Sequence, residues 1–243
     1  MAKALPEAQP AFVLHSYPYR ETSLVLEVFT RTHGRIALMA RGARRPRSAL
    51  RGVLRAFQPL LVTWGGKSEL RTLHKAEWQG GLAQLDGSAL LCGFYLNELL
   101  LKLLPREAPH EGLYESYLET LQALMSDADH PASLRRFELR LLQELGYALT
   151  LDRDAESGAP IDGQASYEYV IERGPMRSVR GAHETGVKRL ELAGQTLLDM
   201  ARGDYGNTVT MQQCKALMRM LINHYLGDQV LNTRQLLRDL QQL

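Results

Sequence analysis

The feature that most constrains the fold of this chain is a change of hydrophobic period near residue 80. Before it, apolar residues alternate. Leu24, Leu26 and Val28 share one face of an extended chain, and Ile36, Leu38 and Ala40 share another. Five stretches, 11–19, 21–30, 35–42, 57–66 and 69–78, are short, rich in β-branched, aromatic and aliphatic residues, and separated by turn signals. Gly34 and the pair Gly65–Gly66 can supply the positive φ that hairpins need. Between the third and fourth stretches, Pro46 and crowded arginines favour a loop, while the second half of 41–55 can form a short helix. Five strands with one helix after the third predict an OB-type Greek-key barrel, a fold that often binds oligonucleotides.

From about Leu82 the period becomes helical. Residues 82–105 are apolar on most sides and predict a buried central helix ended by Pro105. Residues 111–125 are amphipathic, with Leu113, Tyr117, Leu121 and Leu124 on one face. A third helix is predicted over 133–147, with Ser133 as its N-cap and Gly146 as its C-cap. Residues 150–185 read as irregular, with one strand-like piece at 167–171. Further helices are predicted over 193–203, 210–227 and 231–243. The expected class is α+β: a barrel over 1–80, then a helical domain over 81–243 with an irregular insert at about 150–185.

Charge divides at the same place. Residues 1–80 hold 13 Lys+Arg against 5 Asp+Glu, whereas 81–243 hold 16 against 22. From Val28 to Ser68 there are nine basic residues and no acidic one. Such asymmetry points to a polyanionic partner for the first part. No apolar run approaches the roughly 18 residues that span a bilayer, and the first residues lack a signal-peptide pattern. Cys92 and Cys214 are too far apart and too few for a disulfide framework or a four-thiolate zinc site. A cytoplasmic, nucleoid-associated protein without membrane contact is expected.

Catalytic patterns are missing from the sequence. There is no phosphate-cradling GxxxxGK[ST] loop, no HExxH, no GxSxG and no CxxC. Asp152 and Asp154 form a DxD pair in a polar, Gly-rich stretch that reads as a solvated turn, although a metal-dependent nuclease is a distant alternative. His183 and Glu184 adjoin but have no partner at ligand spacing. His224 and Cys214 read as core or interface residues. The expectation is a protein with no catalytic residues, metal or cofactor.

Binding is better supported. Single-stranded nucleic acid is held by cations along its backbone and by aromatic faces under its bases. Arg31, Arg35, Arg41, Arg44, Arg45, Arg47, Arg51 and Arg55 form a run, with Tyr17, Tyr19, Phe29, Phe57 and Trp64 interleaved. The arginine fork grips phosphate and stacks on bases. Phe29, Phe57 and Trp64 suit the barrel core. Tyr17 and Tyr19 flank Pro18 in what reads as a loop and are the better stacking candidates.

Residues 21–77, 90–105, 134–147 and 224–237, in that order and spacing, resemble the RecO family of bacterial DNA repair proteins over nearly the whole chain. The resemblance implies an OB barrel followed by a helical domain and no enzymatic site. It implies binding of single- and double-stranded DNA, strand annealing, partnership with RecR in loading RecA, and binding of the acidic C-terminal tail of single-stranded DNA-binding protein. Many members carry a four-cysteine zinc module. Here residues 151–163 hold no cysteine, so zinc is not carried over, and NTR (232–234) stands where KSR is common. An acidic peptide ending in an apolar residue needs an apolar pocket with a cationic rim. Arg135, Arg136 and Arg140 beside Phe137 and Leu141 are the best candidate, with Lys215 and Arg219 second and a solvated helix face as the plain reading. Composition alone leaves open an RNA-binding barrel protein of translation or RNA processing.

Overall fold

Five strands, β1 (Gln9–Tyr19), β2 (Ser23–Thr30), β3 (Gly34–Ala40), β4 (Leu60–Gly65) and β5 (Leu70–Trp78), close a barrel in the order β1-β2-β3-β5-β4. The computed structural model describes residues 7–126, 129–147, 149–178 and 189–240. Neighbouring strands are antiparallel except β3 and β5, which run parallel, as in an OB-type barrel. A four-residue helix, α1 (Leu50–Val53), lies between β3 and β4. The alternation seen in the sequence fills the interior with Leu26, Val28, Ile36, Leu38, Leu60 and Val62.

The chain folds into two compact units, Met1–Ala128 with Leu231–Leu243, and Asp129–Val230. The first unit adds α2 (Gly87–Leu103) and α3 (Glu111–Leu124) to the barrel. These helices explain why β1 and β2 are apolar on both faces. Phe12 and Phe29 turn away from the interior and pack on Tyr114 and Tyr117 of α3, with ring centroids 5.1–6.1 Å apart. Asn97 of α2 is buried but satisfied: its amide donates to the Leu14 carbonyl at 2.8 Å and its oxygen accepts from the Tyr117 hydroxyl at 2.6 Å. At the β2–β3 turn, Gly34 has φ +66, and a Cβ there would lie 1.9 Å from the Ala108 carbonyl oxygen, so only glycine fits.

The second unit contains α4 (His130–Glu144), β6 (Ser166–Val170), β7 (Gly174–Arg177), β8 (Arg189–Ala193), α5 (Gly194–Arg202) and α6 (Thr208–Leu226). Three of these elements form a sheet in the order β7-β6-β8. The sequence shows only β6 as a strand, because β7 is four residues containing Gly and Pro, too short for a period to register. The N-cap of α4 is Asp129, not Ser133: the Asp129 carboxylate accepts from Ala132 N, and Pro131 fits the first turn. Ser133 lies inside that turn and its hydroxyl donates to the Asp129 carbonyl. Gly146 follows the helix with φ +82, the left-handed geometry expected of it.

The last helix, α7 (Asn232–Leu240), returns to the first unit and packs on α2. Its start is held by Glu98, whose carboxylate accepts from the backbone N–H of Asn232 and Thr233, the Thr233 hydroxyl and Lys102 Nζ, all at 2.6–2.9 Å. Burial by itself would raise the Glu98 carboxyl. The bonds from Thr233, Lys102 and Asn232 outweigh it and hold the group below its ordinary value.

Candidate nucleic-acid interface

Strand direction decides where the cations gather. β1 and β3 are each antiparallel to β2, and β5 is parallel to β3, so Tyr19, Ala40 and Trp78 all end strands that run the same way. At this end the β1–β2 hairpin tip is tied to the loop after β3. The backbone N–H of Arg44 donates to the Thr22 carbonyl at 2.8 Å, Arg44 Nη1 donates to the Arg20 carbonyl at 3.3 Å, and Gly42 N donates to Ser23 Oγ at 3.4 Å. Successive turns, Arg45 N to Gly42 O, Ser48 N to Arg45 O and Arg51 N to Ser48 O, wind the loop into α1. These bonds hold the loop in place, and the side chains of Arg41, Arg44, Arg45, Arg47, Arg51 and Arg55 face solvent.

Among the described residues none of these six has a carboxylate partner. Glu21, the one acid at the hairpin tip, pairs with none of them. Tyr17 is about half exposed and packs on the His15 ring at 4.4 Å. Tyr19 is half-buried, with the Arg20 guanidinium 5.3 Å over its ring. Both tyrosines sit on the end of β1 and not in a loop, because β1 and β2 stay paired to Tyr19↔Ser23. Arg20 was not among the residues the sequence singles out. It holds a left-handed φ of +50 at the tip, uncommon for a non-glycine residue and set here by the tight hairpin turn.

Arg31 and Arg35 are placed elsewhere, at the opposite end of β2 and β3. Arg35 lies five residues from Ala40, about 17 Å along an extended strand. Its side chain is only 14% exposed. It pairs with Glu27 at 3.0 Å and donates through Nε to the Leu104 carbonyl at 3.0 Å. Arg106 holds the other oxygen of Glu27. Arg31 pairs with Glu115 at 3.0 Å, and Arg71 with Glu107 at 2.8 Å. Trp64 packs half-buried on the barrel core, as the sequence suggests, whereas Phe29 is buried outside the barrel against α3 and Phe57 is buried against Phe94 of α2.

The residues of α4 do not converge on a pocket. Phe137 and Leu141 are fully buried and offer no surface to a peptide. Arg135 turns inward to pair with buried Glu138 at 2.7 Å, and Arg140 pairs with Glu144. Arg136 and Arg140 both stay exposed, but Arg136 has no carboxylate partner among the described residues. It donates to the Gly203 carbonyl at 3.3 Å and lies 5.4 Å over the Tyr205 ring. The helix period puts residues 137 and 141 on one face, but it does not say that this face is the core.

Asp154 and Cys214 of the second unit are held in structural roles. Asp154 Oδ1 accepts from Glu156 N, Ser157 N and Ser157 Oγ, and Oδ2 accepts from Arg177 N at 2.7 Å. These bonds lower its carboxyl despite the opposing effect of burial. The Asp152 side chain is 70% exposed and lies 4.0 Å from Arg153 Nε. The residues at 150–178 therefore do not fit a zinc module: they hold no thiolate, and one carboxylate ties the loop through backbone N–H groups. No three His, Cys, Asp or Glu side chains converge as metal ligands among the described residues. Burial pushes the Cys214 thiol up to about 12, far from a reactive thiolate. His183 and Glu184 lie outside the described residues. Among the described residues no helix is long and apolar enough to cross a membrane.

Comparison with known proteins adds a family. The model described as Recombination protein O N terminal matches residues 5–81, and that described as Recombination protein O C terminal matches residues 84–235. The chain is 62% identical over 241 residues to the DNA repair protein RecO of Nitrosospira multiformis, covering 99% of this chain and 98% of that one. It is 54% identical over 237 residues to the DNA repair protein RecO of Aromatoleum aromaticum, covering 98% and 97%. With the protein of the same name from Azoarcus it shares 53% identity over 237 residues, again covering 98% and 97%.

Proposed function

We propose, from the premise that this chain belongs to the RecO family, that it acts in DNA repair and recombination by binding DNA at the arginine-bearing end of its barrel. The supporting observation is the set of six exposed arginines without carboxylate partners, on a loop whose own backbone bonds hold it in place. Cations so placed bind phosphate through counterion release, without regard to base sequence. The finer reading is that the protein anneals complementary single strands and, with RecR, helps load RecA on DNA coated by single-stranded DNA-binding protein. We also assign it no catalysis. Cys214 is kept a thiol, and Asp154 is occupied by backbone donors.

The test is a salt titration of oligonucleotide affinity with Arg44, Arg45 and Arg47 replaced by Ala. Binding to all sequences should weaken alike and the salt slope should fall by about two, at roughly 0.7 per lost contact on a single strand. An unchanged slope refutes the assignment. Strand annealing that required ATP or a divalent metal would argue against a non-catalytic mediator. For the tail peptide of single-stranded DNA-binding protein, Arg136 is the exposed cation of α4 that holds no carboxylate, whereas exposed Arg140 pairs with Glu144. Arg136→Ala should weaken the peptide and spare DNA. Unchanged peptide affinity moves that contact off Arg136.

A further inference from the structure

We propose that a second element of the barrel end, an open aromatic groove beside α1, receives an unstacked base of single-stranded DNA. The inference rests on the reading of the arginine-bearing end as DNA-binding and extends it from phosphates to bases. The groove holds about 590 Å³. Its walls are Val53 and Arg55 next to α1, Phe57, Trp78 at the end of β5, and Leu90 and Phe94 on the first turns of α2. Trp78 and Phe94 are 58% and 43% exposed, an unusual state for two large rings lining one hollow.

The rings are built in place. Trp78 Nε1 donates to Gln58 Oε1 at 2.9 Å, which fixes the indole while leaving it open. Phe57 is buried and meets Phe94 edge to face, centroids 5.2 Å apart. Its backbone has φ +64, strained for a non-glycine residue. Gly93, in the middle of α2, makes room for it: a Cβ there would come 3.0 Å from Phe57 Cε1 and 2.8 Å from Leu85 Cδ1. A glycine inside a helix is less favourable than alanine, so the helix gives up stability to seat this ring.

Charge selects the occupant. Arg55 is the one charged side chain among the groove's lining residues, and no acid lines it. On the other side of α1 a smaller hollow of about 230 Å³ is lined by Leu24, Ala43, Arg44 and Arg51. A strand whose phosphates follow Arg44, Arg51 and Arg55 across the single turn of α1 reaches the groove with its bases. Flat aromatic faces and an adjoining cationic track match a nucleobase on a polyanion, and base–aromatic stacking tolerates any sequence. Arginine runs announce the track, but Trp78 and Phe94 are 16 residues apart in different elements, so only the fold joins them.

The protein has two tryptophans, Trp64 and Trp78, so Trp64→Phe leaves Trp78 as sole reporter. This variant is titrated with a thymine oligonucleotide and with an abasic oligonucleotide of equal length. The expected result is quenching of Trp78 by the first and little by the second. Trp78→Ala in the otherwise natural chain should bind the thymine strand about tenfold more weakly, with an unchanged salt slope, because stacking releases no counterions. Trp78→Phe, which keeps a ring face, should recover most of that loss, and unchanged thermal melting would show both variants folded. Oligonucleotide binding that leaves Trp78 unquenched and Trp78→Ala at natural affinity overturns the groove while sparing the phosphate track. Quenching by an acidic peptide with an apolar end, but not by the oligonucleotide, gives the groove to a protein partner and also overturns it. Absence of any oligonucleotide binding by the natural chain removes the underlying reading itself.

Discussion

The two ends of the barrel carry the same run of arginines and treat it in opposite ways. At the end that carries the β2–β3 turn, Arg31 and Arg35 of the run each meet a carboxylate, as do Arg71 of β5 and Arg106 after α2, and Arg35 is nearly buried. At the other end, Arg41 to Arg55 meet none among the described residues. A cation that already holds a carboxylate must exchange one partner for another to bind phosphate, and gains little. A cation in water with no partner releases its counterions and gains their entropy. The difference teaches that a basic run in sequence is not a basic surface until the carboxylates that fold back upon it are known.

The largest expected effect breaks this comparison at the paired end. Arg35→Ala leaves the Glu27 carboxylate without one of its two cations and removes the bond to the Leu104 carbonyl. Loss of about 3 kcal/mol in chemical denaturation is expected, because the buried Glu27 carboxylate keeps only Arg106 and the Leu104 carbonyl loses its donor, while the salt slope of DNA binding stays put. A slope that fell with Arg35→Ala would mean that both ends touch DNA. Next in size is the Arg44, Arg45 and Arg47 triple variant. Near 0.1 M salt it should bind single strands roughly a hundredfold more weakly and melt close to the natural chain, since these side chains hold no carboxylate and the bond that Arg44 Nη1 gives up, to the Arg20 carbonyl, is exposed.

A smaller effect sharpens the contrast between a carboxylate used structurally and cations left free. The folded Glu98 carboxyl lies below its ordinary value, so its bonds to α7 stabilise the fold above the unfolded value of about 4.3 and are lost as pH falls through the lowered folded value. Glu98→Gln should therefore be less stable than the natural chain at pH 7, with the gap closing below about pH 4. Urea melts of both proteins across that range measure it. A gap that persisted at pH 3 would show that the glutamine disturbs something other than the carboxylate's charge. The smallest effect belongs to Arg31→Ala. Its pair with Glu115 is about half exposed on both sides, and exposed pairs contribute roughly 0.2–1 kcal/mol. Both stability and DNA affinity should change little, and a large loss of DNA binding would place Arg31 on the interface after all.

The sequence alone determined what short-range physics can determine. Alternation over five to ten residues marked the barrel strands, glycine marked the β2–β3 turn, and the 3.6 period marked the helices, because each depends on neighbours in the chain. It also marked the excess of cations in the first 80 residues. Tertiary structure alone decided which of them are free. Glu27 meets Arg106 across 79 residues, and Glu98 holds Thr233 across 135. Helix periodicity put Phe137 and Leu141 together, but only packing showed that they face the core and that Arg135 turns inward. Trp78 and Phe94 carry no joint signal at all, since their groove exists only once β5, α1 and α2 are assembled. Charge and aromatic character are properties of a residue, whereas pairing and exposure are properties of its surroundings, and those surroundings come from parts of the chain too distant for any local pattern to record.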